Sequence, residues 1–128
     1  MQQEYEKIAA VLKRYGDSLY RCDTALLESV FHPQARYVTA SEGTLLHLDM
    51  AAYLPIVAAR TSPESLGEPY AFTIDSIELA GTVTAFARVR VVMLGRRYID
   101  LLSLIRIGGD WRIIAKVFHV EPAAPPAA

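Results

Sequence analysis

Residues 3–21 carry apolar side chains at Tyr5, Ile8, Ala9, Val11, Leu12, Tyr15, Leu19 and Tyr20, with Glu4, Lys7, Lys13, Arg14 and Asp17 between them. That spacing is close to the i, i+3, i+4, i+7 stripe of an amphipathic helix, and Gly16 within it leaves room for another element to come close. Asp23 reads as the N-cap of a short helix over 24–30, which Phe31-His32-Pro33 stops because a residue before proline is pushed out of the α region. Strand character follows at 35–40 and 44–48, around the turn Ser41-Glu42-Gly43. Asp49 caps a third helix from 50 to about residue 60, where Pro55 predicts a distortion or a shifted start. Beyond a loop at 61–68, strands are expected over 70–79 and 83–94. The terminal arms 98–107 and 111–119 form a hairpin around Gly108-Gly109-Asp110.

Helices first and consecutive strands last predict an α+β fold: a cone-like, curved antiparallel sheet, a half-barrel, with the N-terminal helices on its concave face. The pattern describes one domain over 1–120, followed by a flexible Pro/Ala tail at 121–128.

Composition narrows the function classes. The chain has 128 residues, 52% of them hydrophobic, and a mean hydropathy of +0.21. That surplus suggests apolar surface covered by a second copy. Thirteen basic and fourteen acidic residues give a net charge of -1, so the basic field that drives nucleic-acid binding is missing. No apolar run is long enough to span a bilayer, and the polar start Met-Gln-Gln-Glu does not read as a signal peptide. With Cys22 as the single cysteine, a cytoplasmic location is expected. His32, His47 and His119 are too scattered for a metal motif, and neither a metal nor a cofactor is expected.

Alternation assigns the hairpin two faces. With a three-residue turn, Ile107 opposes Trp111. Ile99, Leu101, Ser103 and Ile105 then share a face with Ile113, Ala115, Val117 and His119, forming a pocket wall. The other face holds Asp100, Leu102, Leu104 and Arg106 with Arg112, Ile114, Lys116 and Phe118. Its apolar members Leu102, Leu104, Ile114 and Phe118 are then expected to form a homodimer interface.

Several stretches together carry a resemblance: Asp23…Leu26-Leu27…Phe31-His32-Pro33…Ala35, Ile77…Gly81…Ala85, Asp100-Leu101-Leu102…Leu104, and Gly109…Trp111-Arg-Ile-Ile…Lys116-Val-Phe-His. Over roughly residues 3 to 120 the chain resembles the nuclear transport factor 2-like superfamily, and is most similar to its SnoaL-like and lumazine-binding branch. The resemblance implies a conical α+β fold that often encloses a pocket and often pairs through its outer sheet face. Against the acid-base isomerases of the superfamily, Tyr15 matches the segment of the catalytic Tyr. Thr39 and Ser103 stand where carboxylates would be needed, which disfavours isomerase chemistry.

The expected function is a dimeric domain that binds a small hydrophobic molecule. Its candidate ligand residues are Tyr15, Tyr37, Thr39, Tyr53, Met93, Leu101, Ser103 and His119. One alternative is a SnoaL-like enzyme of cyclase, isomerase or dehydratase type using Tyr15, Asp100 and His119. The other is a structural partner subunit. Asp100, mid-strand among apolar neighbours, needs partners if buried, and Arg88, Arg90 and Lys116 could supply an ion pair.

Overall fold

The computed structural model of the protein describes residues 2–123. The chain runs α1 (Gln2–Arg21), α2 (Thr24–Val30), β1 (Phe31–Thr39), β2 (Leu46–Asp49), α3 (Met50–Ala59), β3 (Phe72–Ala80), β4 (Thr84–Met93), β5 (Arg96–Ile107) and β6 (Asp110–Pro122). The six strands form one sheet in the order β2-β1-β6-β5-β4-β3. Neighbours pair antiparallel except β1 with β6, which run parallel. The sheet curves without closing, and the helices cover its concave face as the helix-then-strand pattern requires.

Local chemistry explains the element boundaries. The stripe on α1 buries Ile8, Val11, Leu12, Tyr15 and Leu19, each side chain contributing about 1.5–3 kcal/mol relative to exposure. Asp23 and Asp49 cap α2 and α3, accepting from Leu26 N at 3.0 Å and Ala52 N at 2.9 Å. Helix α3 starts where the Asp cap places it and continues through Pro55. Gly16 does admit a neighbour: a Cβ there would lie 2.8 Å from Phe72 Cγ and 2.8 Å from the Tyr70 hydroxyl.

Strand β1 starts at Phe31, four residues earlier than its β propensity suggested, because β6 offers it a parallel partner. Strand β6 runs on to Pro122, with Glu121 opposite Arg97. Glu121 and Pro122 therefore belong to the sheet and not to a tail; residues 124–128 lie outside the described residues.

The largest difference from expectation is the register of the last hairpin. Its turn has two residues, Gly108 and Gly109, at φ 62° and 85°, while Asp110 pairs with Ile107. Two consecutive positive φ values suit a primed turn, which glycine adopts without strain. A bulge follows: Leu104 pairs with Ile113 and Ser103 with Ala115, so Ile114 is the extra residue. The core face accordingly consists of Tyr98, Asp100, Leu102 and Leu104 on β5, with Trp111, Ile113, Lys116 and Phe118 on β6, all buried. Leu102, Leu104 and Phe118, expected on an outer face, are interior. Ile99, Leu101, Ser103, Ile105, Ala115, Val117 and His119, expected inside, are on the convex side. Side chains alternate with period two, so one residue of turn length exchanges the faces of β5 relative to β6, and the bulge exchanges them again.

Candidate functional site

At the centre of the cone lies a charged group among aromatic rings. Tyr15 reaches in from the buried stripe of α1, Tyr53 from α3 and Tyr37 from β1, where it is registered opposite Lys116. Lys116 on β6 is opposite Leu102 on β5, which places it diagonally from Asp100. The Tyr15 hydroxyl donates to Asp100 Oδ2 at 2.5 Å. Lys116 Nζ lies 3.9 Å from the same oxygen and donates to the Tyr53 hydroxyl at 3.4 Å. The ammonium also sits 5.1–5.4 Å from the ring centres of Tyr15, Tyr37, Tyr53 and Phe118, within cation–π range of four rings. Tyr37 stacks on Tyr53 at 4.2 Å. The Asp100 and Lys116 side chains are 1% and 4% exposed. Asp100 therefore does have an ion-pair partner, and it is Lys116; Arg88 and Arg90 pair with Asp75 instead.

Burial acts on the tyrosines of this cluster. It pushes the Tyr15 phenol far above the ordinary tyrosine range, and the adjacent Asp100 charge pushes the same way. Burial likewise raises Tyr53 and Tyr37. These phenols stay protonated at any physiological pH and do not serve as bases. Arg60, just past α3, is destabilised as a cation by burial, yet the phenols of Tyr53, Tyr37 and Tyr98 outweigh that and raise its pKa.

Alkaline stability reflects the same burial. A phenol whose folded pKa is raised contributes stability that is complete below the unfolded value near pH 10 and is lost as pH climbs toward the folded value. The urea midpoint should hold between about pH 8 and about pH 10 and drop above it, with a smaller drop in Tyr15→Phe. A midpoint equally insensitive in both proteins would contradict the burial of these phenols.

Of the residues singled out by sequence, Tyr15, Tyr37, Tyr53 and Asp100 converge. Thr39 and Met93 are buried nearby, but the Thr39 hydroxyl is occupied, donating to Phe118 O at 2.7 Å. Leu101 and Ser103 face away from the cone. His119 does too: its side chain is 54% exposed and pairs with Glu121 at 3.1 Å. Tyr15, Asp100 and His119 do not form one constellation, because the bulge turns His119 outward. His32 Nδ1 accepts from Gln34 N, and His47 is exposed on the edge strand β2. Among the described residues no three His, Cys, Asp or Glu side chains are grouped to hold a metal, and no helix is long and apolar enough to cross a membrane.

The sequence marks Lys116 as a possible partner of Asp100, while its aromatic cage appears only in the fold. The available signal was a lone cation in the run Ile113-Ile-Ala-Lys-Val-Phe. The interior around it is packed. Surface clefts of about 560, 330, 240 and 150 Å³ are lined by residues other than Tyr15, Tyr37, Tyr53, Asp100 and Lys116.

Comparison with known proteins agrees with this architecture. A family described as "Putative lumazine-binding" matches residues 3–119. The chain belongs to that lumazine-binding family. A nuclear transport factor 2-like protein of unknown function from Shewanella baltica OS155 is 23% identical, with a TM-score of 0.84 over 94% of this chain and 96% of that one. Another from Silicibacter pomeroyi DSS-3 is 26% identical, with a TM-score of 0.79 over 94% and 98%. One from Novosphingobium aromaticivorans, described as having a cystatin-like fold, is 17% identical, with a TM-score of 0.68 over 92% and 82%. These likenesses identify the lumazine-binding family member as nuclear transport factor 2-like in fold. A search of curated proteins found no match.

Proposed function

We propose that the protein binds a small, flat, largely apolar molecule in its conical interior, anchored by Lys116, Asp100 and Tyr15. One observation carries this reading: the buried charges have more hydrogen-bonding capacity than the protein uses. Asp100 Oδ1 is buried without a partner. An ammonium has three donors, and Lys116 makes one hydrogen bond, to Tyr53. Leaving such groups incompletely paired in a core is costly, and stability alone favours apolar residues there. Aromatic walls suit a flat molecule, and Lys116 suits a carbonyl acceptor on it. The cluster is packed, so binding there requires its side chains to move apart and admit the molecule.

Equilibrium titration with lumazine, taken from the family description, and with a fused-ring ketone tests this reading. At least one should bind saturably to the natural protein, and about tenfold or more weakly to Asp100→Leu/Lys116→Met. Binding of neither, or equal binding to both proteins, would remove the proposal.

The same reading includes a homodimer through the convex face, now with a different residue set. Phe86, Val92 and Val117 are 40%, 44% and 47% exposed, beside the half-buried Ile99, Leu101 and Ile105. Arg88, Arg90 and Arg97 stand opposite Leu101, Ile99 and Val92 on this face, and a mixed apolar and charged surface of this kind suits a self-complementary partner. Sedimentation at micromolar concentration should give a dimer, and Leu101→Arg a monomer. A monomeric natural protein rules the interface out.

A further inference from the structure

We infer that the groove between α1 and the β5–β6 turn is a second binding site, separate from the cone interior, for a small organic anion with a flat apolar body. The groove has a volume of about 560 Å³, within the range of sites that enclose small molecules. One wall is a face of α1, Lys7, Ala10, Val11 and Arg14, whose i, i+3, i+4, i+7 spacing places them in one row. Trp111 and Arg112 form the opposite wall, with Ser29 of α2 and Gly109 of the turn also lining it.

The lining of this groove is predominantly cationic, with Lys7, Arg14 and Arg112 against Asp110. Most cations of the protein lie within 4 Å of a carboxylate: Lys13 with Asp17, Arg21 with Glu64, Arg88 and Arg90 with Asp75, Arg97 with Glu121, Arg106 with Glu4, and Lys116 with Asp100. Arg14, Arg36, Arg60, Arg96 and Arg112 have no such partner among the described residues, and two of these five, Arg14 and Arg112, line the groove. Lys7 is the third cation, shared with Glu4 at 3.5 Å. The opposing charges are Asp110, in the lining, and Glu4. The Glu4 carboxylate accepts from Trp111 Nε1 at 2.6 Å and also contacts Arg106, so it holds the indole in place and is largely neutralised. In a chain of net charge -1 the groove therefore carries a surplus of positive charge beside the exposed edges of Val11 and Trp111. Two guanidiniums can each grip a carboxylate or phosphate with two hydrogen bonds.

Trp111 is the single tryptophan and lines the groove from its buried position, so its emission reports changes on that side of the core. Phenyl phosphate and benzoate supply the two possible head groups, and phenol is the neutral control. Emission should change saturably with at least one anion, and the tighter of the two identifies the head group. Affinity should fall about tenfold in Arg14→Gln and in Arg112→Gln, with the urea midpoint little changed, since Arg14 is exposed and Arg112 only half-buried. Asp100→Leu/Lys116→Met should leave this titration unaltered even if interior binding fails. Absence of a saturable change with both anions, an equal response to phenol, or undiminished affinity in both Arg variants overturns the site.

Discussion

Asp100→Leu should lower the unfolding free energy by about 3–5 kcal/mol in urea denaturation, the usual cost of stranding one member of a buried ion pair. Lys116 would keep four aromatic faces and the Tyr53 hydroxyl but lose its carboxylate partner. Cation–π contacts of about 2 kcal/mol when desolvated do not replace the lost charge partner. The second change decides what the pair is for. Adding Lys116→Met removes the stranded charge, and the double variant should return to within about 1 kcal/mol of the natural protein or exceed it. Recovery of stability with loss of interior ligand binding assigns the pair to function. A single variant costing less than about 1 kcal/mol would mean that no ion pair forms in the core.

Leu102→Ala should cost about 2–5 kcal/mol, as expected for truncation of a fully buried leucine. Leu101→Ala, one residue away and on the convex face, should cost less than about 1 kcal/mol in the monomer. Any further loss should grow with protein concentration, because dimerisation stabilises by mass action. The two adjacent leucines thus report the hairpin register directly. Equal costs, or a larger cost at Leu101, would contradict the two-residue turn and the bulge.

The hairpin shows where legibility ended. Gly108-Gly109 marked the turn plainly, but turn length was ambiguous between two and three residues, and nothing local announces a bulge at Ile114. Both faces of β5 are rich in leucine and isoleucine, so hydrophobicity alone preferred the face without Asp100. A buried carboxylate looks wrong until its partners are known, and those come from α1 and β6, 85 and 16 positions along the chain. His119 was misplaced by the same slip. Tyr15, Tyr37 and Tyr53 were read as lining the interior because their helices and strand were read correctly.

The sequence by itself determined the element order, the capped helices, the α+β class and the family. The first three rest on short-range chemistry: periodicity, an Asp before a helix, a Pro after one, two glycines in a turn; the family rests on the resemblance of motifs along the chain and on the family match. Tertiary structure alone decided which face of β5 is inside, that Asp100 and Lys116 form one buried pair, and that Arg14 and Arg112 share a groove. Each of these depends on strand register and on contacts between distant segments. Period-two alternation makes a strand's inside and outside interchangeable until pairing selects one.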